Sequence, residues 1–277
     1  MRIVNTAAKY LIVLVMISCM SLTTACGGGD DSGIDESDIN TTMFESRGQH
    51  TATLLNDGRV LVAGGRAVLS YESSEIFDPI PNEDPEISQW SSAGDMLMDR
   101  FDHTATLLPN GLVLIVGGDK ETGLTQYRQS RRLSLQDSEL YDPAANSWSS
   151  AGDMPRTHAA GHTATLLDNG KVLVTGGLYV KGEGEPRVGS SYSDIYDPST
   201  GVWSTTGDMT EGRTRHHAIL LKDGNVLVVG SNSSEIYDVS SGTWTAAGDL
   251  PSDHGRQFST TLLSDGKVLV AGGGHSR

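Results

Sequence analysis

The chain has 277 residues, 33 of them glycine and only 6% aromatic, and a formal charge of −15. That length and composition suit one all-β domain of short strands and tight turns, and the charge repels nucleic acid and anionic lipid, so nucleic acid is excluded as a partner. The only cysteines, Cys19 and Cys26, precede everything that reads as a domain, which leaves it without an internal disulfide or a thiolate metal site.

Residues 1–25 read as an export signal. Arg2 and Lys9 form a basic start, and Tyr10 to Met20 is an apolar run too short to span a bilayer comfortably. Leu22-Thr23-Thr24-Ala25-Cys26 follows. It resembles the lipobox of bacterial lipoproteins, in which the signal is cut before a cysteine that becomes lipidated. The resemblance implies a lipid on Cys26. Residues 26–43, opening on Gly27-Gly28-Gly29-Asp30-Asp31, then read as a flexible acidic tether. The expected product is exported and anchored in a membrane through its lipid. Gly27 rather than Asp after Cys26 favours the bacterial outer membrane or cell surface.

Residues 44–277 are organised by repetition. His50-Thr51-Ala52-Thr53-Leu54-Leu55 recurs from His103, from His162, and more loosely from His216 and Phe258. Each copy is followed by a turn such as Asp57-Gly58 or Asn110-Gly111, which supplies the positive φ of a tight hairpin. A β-branched apolar run comes next, uniform enough to predict a strand buried on both faces. It closes on a glycine pair at Gly64-Gly65, Gly117-Gly118, Gly176-Gly177 and Gly272-Gly273, and on Gly230 alone in the fourth copy. An aromatic-Asp step follows at Phe77, Tyr141, Tyr196 and Tyr237. Then comes a tryptophan at Trp90, Trp148, Trp203 and Trp244, the only four in the chain, each trailed by Gly-Asp-Met or Gly-Asp-Leu.

Each unit therefore reads as four strands. The diglycine, the aromatic and the spaced tryptophan resemble a kelch repeat, and the His-Thr-Ala-Thr-Leu-Leu, Asp-Gly and Gly-Gly pattern resembles the galactose-oxidase-type central domain. The implied fold is an all-β propeller with four complete four-stranded blades and a partial fifth, read first as a truncated piece of a six- or seven-bladed ring, with closure on five irregular blades or pairing of two chains as the alternatives. Ser37 to Met43 align with the tryptophan strand and offer a strand to the last blade. A blade cannot bury both faces alone, so blades stack, with glycines giving close approach and tryptophans packing between neighbours.

Catalytic signals are missing. There is no Gly-x-Ser-x-Gly or His-Glu-x-x-His. The histidines recur at one strand position, which predicts a shared packing or hydrogen-bond role rather than a metal site. Asp-Pro and Gly-Asp-Met aspartates predict turn caps. The galactose-oxidase resemblance implies copper with a Cys–Tyr cross-link, which these blades do not supply, so no cofactor, metal or catalytic residue is assigned. Most Lys and Arg fall between strands two and three or between blades, on one face of the ring. Arg47, Arg100 and Arg213 recur there before the His-Thr strand and predict blade-to-blade struts; Arg66 and Arg156 share the face. The longest loops, Asp119 to Ser138 and Leu178 to Ser193, bring Lys120, Arg128, Arg131, Arg132, Lys181 and Arg187. Arginines recognise carboxylates and phosphates, so these six form the expected binding face for an envelope protein or an anionic glycan. The expected function is non-enzymatic binding at the cell envelope. The alternative is a carbohydrate-active enzyme, a copper radical oxidase or sugar-acid mutarotase, with catalytic residues partly beyond Arg277.

Overall fold

The computed structural model describes residues 43–79, 89–124, 130–180, 186–230, 232–250, 255 and 258–273. The signal, Cys26 and nearly all of the tether lie outside the described residues, as do Arg128 and Lys181.

Four antiparallel four-stranded sheets follow one another along the chain. The first is β1 (Thr51–Leu54), β2 (Val60–Ala63), β3 (Ser73–Phe77) and β4 (Trp90–Asp95). The second is β5 (Thr104–Leu107), β6 (Val113–Val116), β9 (Asp137–Asp142) and β10 (Ser147–Asp153), with a side hairpin β7 (Asp119–Leu124) and β8 (Ser130–Ser134) between its second and third members. The third is β11 (His162–Leu166), β12 (Val172–Gly176), β15 (Ser193–Asp197) and β16 (Val202–Thr205), and carries a second side hairpin, β13 (Leu178–Val180) and β14 (Arg187–Gly189). The fourth is β17 (His217–Leu220), β18 (Val226–Val229), β19 (Ser233–Asp238) and β20 (Thr243–Asp249), and a two-stranded β21 (Phe258–Leu262) and β22 (Val268–Gly272) completes the series. The stretches Asp119 to Ser138 and Leu178 to Ser193 thus hold hairpins rather than loops.

Successive first strands lie side by side, β1 by β5, β5 by β11, β11 by β17 and β17 by β21, so they converge on an axis. The second strands are sandwiched. Leu61 is 1% exposed and Leu114 and Leu173 are 0%, whereas the repeat-equivalent Leu269 in β22, with no further sheet against it among the described residues, is 51% exposed. One leucine position thus shows what stacking contributes, about 1.5–3 kcal/mol for each such side chain. Within each sheet the aromatic of strand three meets the tryptophan of strand four, ring centroids 5.0 to 5.1 Å apart. Trp148 then donates to Ala93 O of the preceding sheet at 3.0 Å, Trp203 to Ser138 Oγ at 3.0 Å and Trp244 to Gly207 O at 2.9 Å. Met43 packs on the corresponding cluster of the first sheet, Val60, Val62, Phe77 and Trp90.

The glycine pairs make the other joint. Gly65 N donates to Arg100 O at 2.8 Å and Gly177 N to Arg213 O at 2.9 Å, each carbonyl belonging to the next sheet's entry segment. Gly177 sits at φ +92°, and a Cβ there would lie 2.7 Å from Ala159 O, so both backbone conformation and space demand glycine.

Candidate functional site

The repeated polar residues prove to be internal joints. His103 Nε2 shares a hydrogen bond of 2.9 Å with Thr51 Oγ1 of the preceding sheet, His162 Nε2 one of 2.9 Å with Thr104 Oγ1, and His216 Nε2 one of 3.0 Å with Thr163 Oγ1. His162 Nδ1 donates to Ala159 O at 2.8 Å, which leaves Nε2 of the neutral ring as an acceptor for the threonine hydroxyl. Burial holds these rings neutral: it lowers His162 to about 4 and His216 to about 3, and pushes His103 well down. In the fourth sheet the threonine position is His217 and in the fifth the histidine position is Phe258. The two replacements meet each other, ring centroids 4.6 Å apart.

The arginines before the first strands are also buried, but they tie each entry segment to its own sheet rather than bridging sheets as struts. Arg47 donates to Glu75 at 2.6 Å and Ser73 O at 2.7 Å, Arg100 to Glu139 at 2.6 Å and Gly117 O at 2.9 Å, and Arg213 to Glu235 at 2.9 Å. The aspartates of the Asp-Pro and related turns cap as expected: Asp142 Oδ1 accepts from Ala144 N at 2.8 Å and Asp238 Oδ1 from Ser240 N at 2.8 Å.

The third sheet breaks this pattern. Its entry segment is one residue longer, Ala159 stands where the others have arginine, and Asp194 stands where they have glutamate. His158, fully buried, takes over the guanidinium's place, with Nδ1 2.8 Å from Gly176 O and Nε2 3.1 Å from Asp194. Arg156 is displaced outward. It still reaches Asp194 at 2.8 Å and Asp208 at 2.6 Å, but its side chain is 21% exposed where that of Arg100 is 0%. Asp208, a Gly-Asp-Met aspartate expected as a turn cap, instead accepts from Arg156 and from Ser193 N at 3.3 Å.

This irregular segment and the two side hairpins border an open cleft of about 430 Å³, lined by Arg132, Ser134, Arg156, Thr157, Tyr179 and Tyr192. The tyrosine rings stand 5.5 Å apart, and Arg156 Cζ lies 4.8 Å over the Tyr192 ring. Arg187 of β14 makes a bidentate bond to the buried Asp119 of β7, at 2.7 and 2.5 Å, and reaches Ser134 of β8 at 2.8 Å, so it clamps one hairpin to the other. Lys120 is paired with Asp99 at 2.6 Å. Arg131 lies in β8, opposite Gly123. Arg132 faces the cleft. Of the six cations expected on this face, the structure thus places Arg132 at the cleft and Lys120 and Arg187 in ion pairs beside it. The sequence does not mark Tyr179 and Tyr192, because neither recurs. The extra residue before His162 was the available signal for Arg156.

No family model matches the chain. Kelch-like protein 34 of Homo sapiens is 33% identical over 172 residues, 59% of this chain and 24% of that protein. Kelch repeat and BTB domain-containing protein 12 of Danio rerio is 30% identical over 157 residues, 53% and 24% respectively, and Kelch-like protein 25 of Homo sapiens is 26% identical over 216 residues, 62% and 34%. The fold is a kelch-type β-propeller. The chain spans about a quarter to a third of the length of these curated relatives. Among solved structures it is similar to a fungal alcohol oxidase of the AA5 family in complex with copper, at TM-score 0.46 and 17% identity, covering 83% of this chain and 59% of that one. Both cysteines precede the described residues, and among the described residues no three His, Cys, Asp or Glu side chains converge on a point.

Proposed function

We propose that this kelch propeller is a non-enzymatic interaction module, held at a bacterial envelope through a lipid on Cys26, which engages an envelope protein or an anionic glycan on the face carrying the two side hairpins. The observation that carries the reading is the cleft. It is built where the repeat is broken, by two inserted hairpins and a displaced arginine, on a scaffold whose repeated histidines and arginines are engaged in internal bonds. Rigid propellers present recognition on such insertions. The kelch relatives support the scaffold, and the strongly acidic chain argues against nucleic acid. The reading requires no cofactor.

A photo-crosslinking residue at Tyr179, in the full chain in its native membrane, is expected to yield a discrete adduct that one at Asn110, on the hairpin-turn face, does not. Adducts only from Asn110, or turnover of alcohols or sugars by the purified chain, would overturn it. Labelling with a fatty-acid analogue, abolished by Cys26→Ser, tests the anchor.

A further inference from the structure

We infer that the cleft takes a hexuronate-containing glycan, its carboxylate on Arg132 and its ring against Tyr179 and Tyr192; this rests on the cleft being the binding site proposed above.

Among the described side chains around the cleft, the ion pairs single out one cation. Lys120 is matched by Asp99 and Arg187 by Asp119, while Arg156 stands against two carboxylates, those of Asp194 and Asp208. Arg66 and Arg132 share one carboxylate, that of the buried Glu121, at 2.7 and 3.7 Å, and both guanidiniums lie over the Phe101 ring, 4.5 and 5.2 Å from its centroid. Two guanidiniums against one carboxylate leave a positive charge over. Arg66 holds the shorter bond to Glu121, and its Nε is also taken by Gln49 Oε1 at 2.5 Å. The surplus therefore falls on Arg132, whose side chain is 36% exposed and borders the cleft. A planar guanidinium with open N–H groups is a site for a carboxylate, which it binds through two parallel bonds.

The tyrosines decide what carries that carboxylate. Two rings 5.5 Å apart and inclined at 51° to one another, one of them backed by Arg156, offer an aromatic wall with an angled face. A pyranose presents a face of C–H bonds that packs on such a wall, while its hydroxyls reach Ser134 and Thr157. The cleft volume of about 430 Å³ is that of a small-ligand site, whereas a stable protein partner covers roughly 800 Å² on each side.

The test is calorimetric titration of the detergent-extracted full chain with oligogalacturonate, oligomannuronate, the methyl-esterified oligogalacturonate, and hexaglutamate. Binding is expected for at least one acidic oligosaccharide, with the ester about tenfold weaker. Arg132→Gln should lower affinity for the acid about tenfold and leave the ester unchanged. Arg66→Gln should also weaken the acid, since Glu121 then falls wholly to Arg132. Tyr179→Ala should weaken acid and ester alike, and Lys171→Gln on the opposite face should change nothing. Unchanged circular dichroism and melting temperature qualify each variant. Equal affinity for acid and ester, tighter binding of hexaglutamate, or no binding of either acid overturns the inference. If the Tyr179 crosslink nonetheless captures a partner, the interaction reading stands and only the sugar falls; if neither is seen, both fall.

Discussion

Lowering the pH from 7 to 5 should destabilise this propeller through its axial histidines. The unfolded chain takes up a proton at each histidine near 6.5. The folded chain resists until about 4 at His162 and about 3 at His216, because burial penalises the charged ring. Below 6.5 the unfolded state therefore holds more protons, so stability falls with pH until the folded values are reached. At pH 5 the linkage comes to about 2 kcal/mol for each of these two rings, and His103 adds in the same direction. His162→Gln isolates one term: the amide can keep the bonds to Thr104 and Ala159 and does not titrate. The variant should be less stable than the parent at pH 7, and that deficit should shrink by about 2 kcal/mol by pH 5, or roughly 4–8 °C in melting temperature for a domain of this size. Urea unfolding of both proteins at pH 7, 6 and 5 measures it. A deficit that stays constant across the three pH values would refute the claim that a buried neutral His162 links the second and third blades.

Three further outcomes are expected. Arg100→Met leaves Glu139 buried without its partner and should cost about 3–5 kcal/mol in chemical unfolding, with Arg100→Met/Glu139→Met recovering part of the loss. Gly177→Ala forces a side chain into positive φ against Ala159 O and should lower stability by at least about 2 kcal/mol, seen as a lower urea midpoint at an unchanged slope. His217→Thr and Phe258→His should each destabilise alone, while the double variant rebuilds the His–Thr joint found between the other blades; a double-mutant cycle should give a coupling of about 1 kcal/mol.

The blades were legible because every blade solves the same packing problem. A strand buried on both faces must be apolar throughout, a backbone touching its neighbour must be glycine, and a tryptophan spanning two blades must keep its spacing, so the constraint prints itself repeatedly along the chain. His50, Arg47 and their equivalents also recur, and recurrence marked them as structural. It did not say to what they bind, since Glu75, Glu139 and Glu235 are 22 to 39 residues distant from their arginines and only the closed sheet brings them together. The side hairpins are not legible as strands because Asp119–Leu124 and Ser130–Ser134 are largely polar and lack the apolar alternation of a strand packed on a core. The cleft was hidden for the same reason. Its walls occur once each, and whether Arg132 or Arg187 is left open to a ligand depends on where Asp119 and Glu121 come to lie. Repeated local demands are written into the order of residues, whereas the balance of charge among side chains from different blades exists only once the blades have stacked.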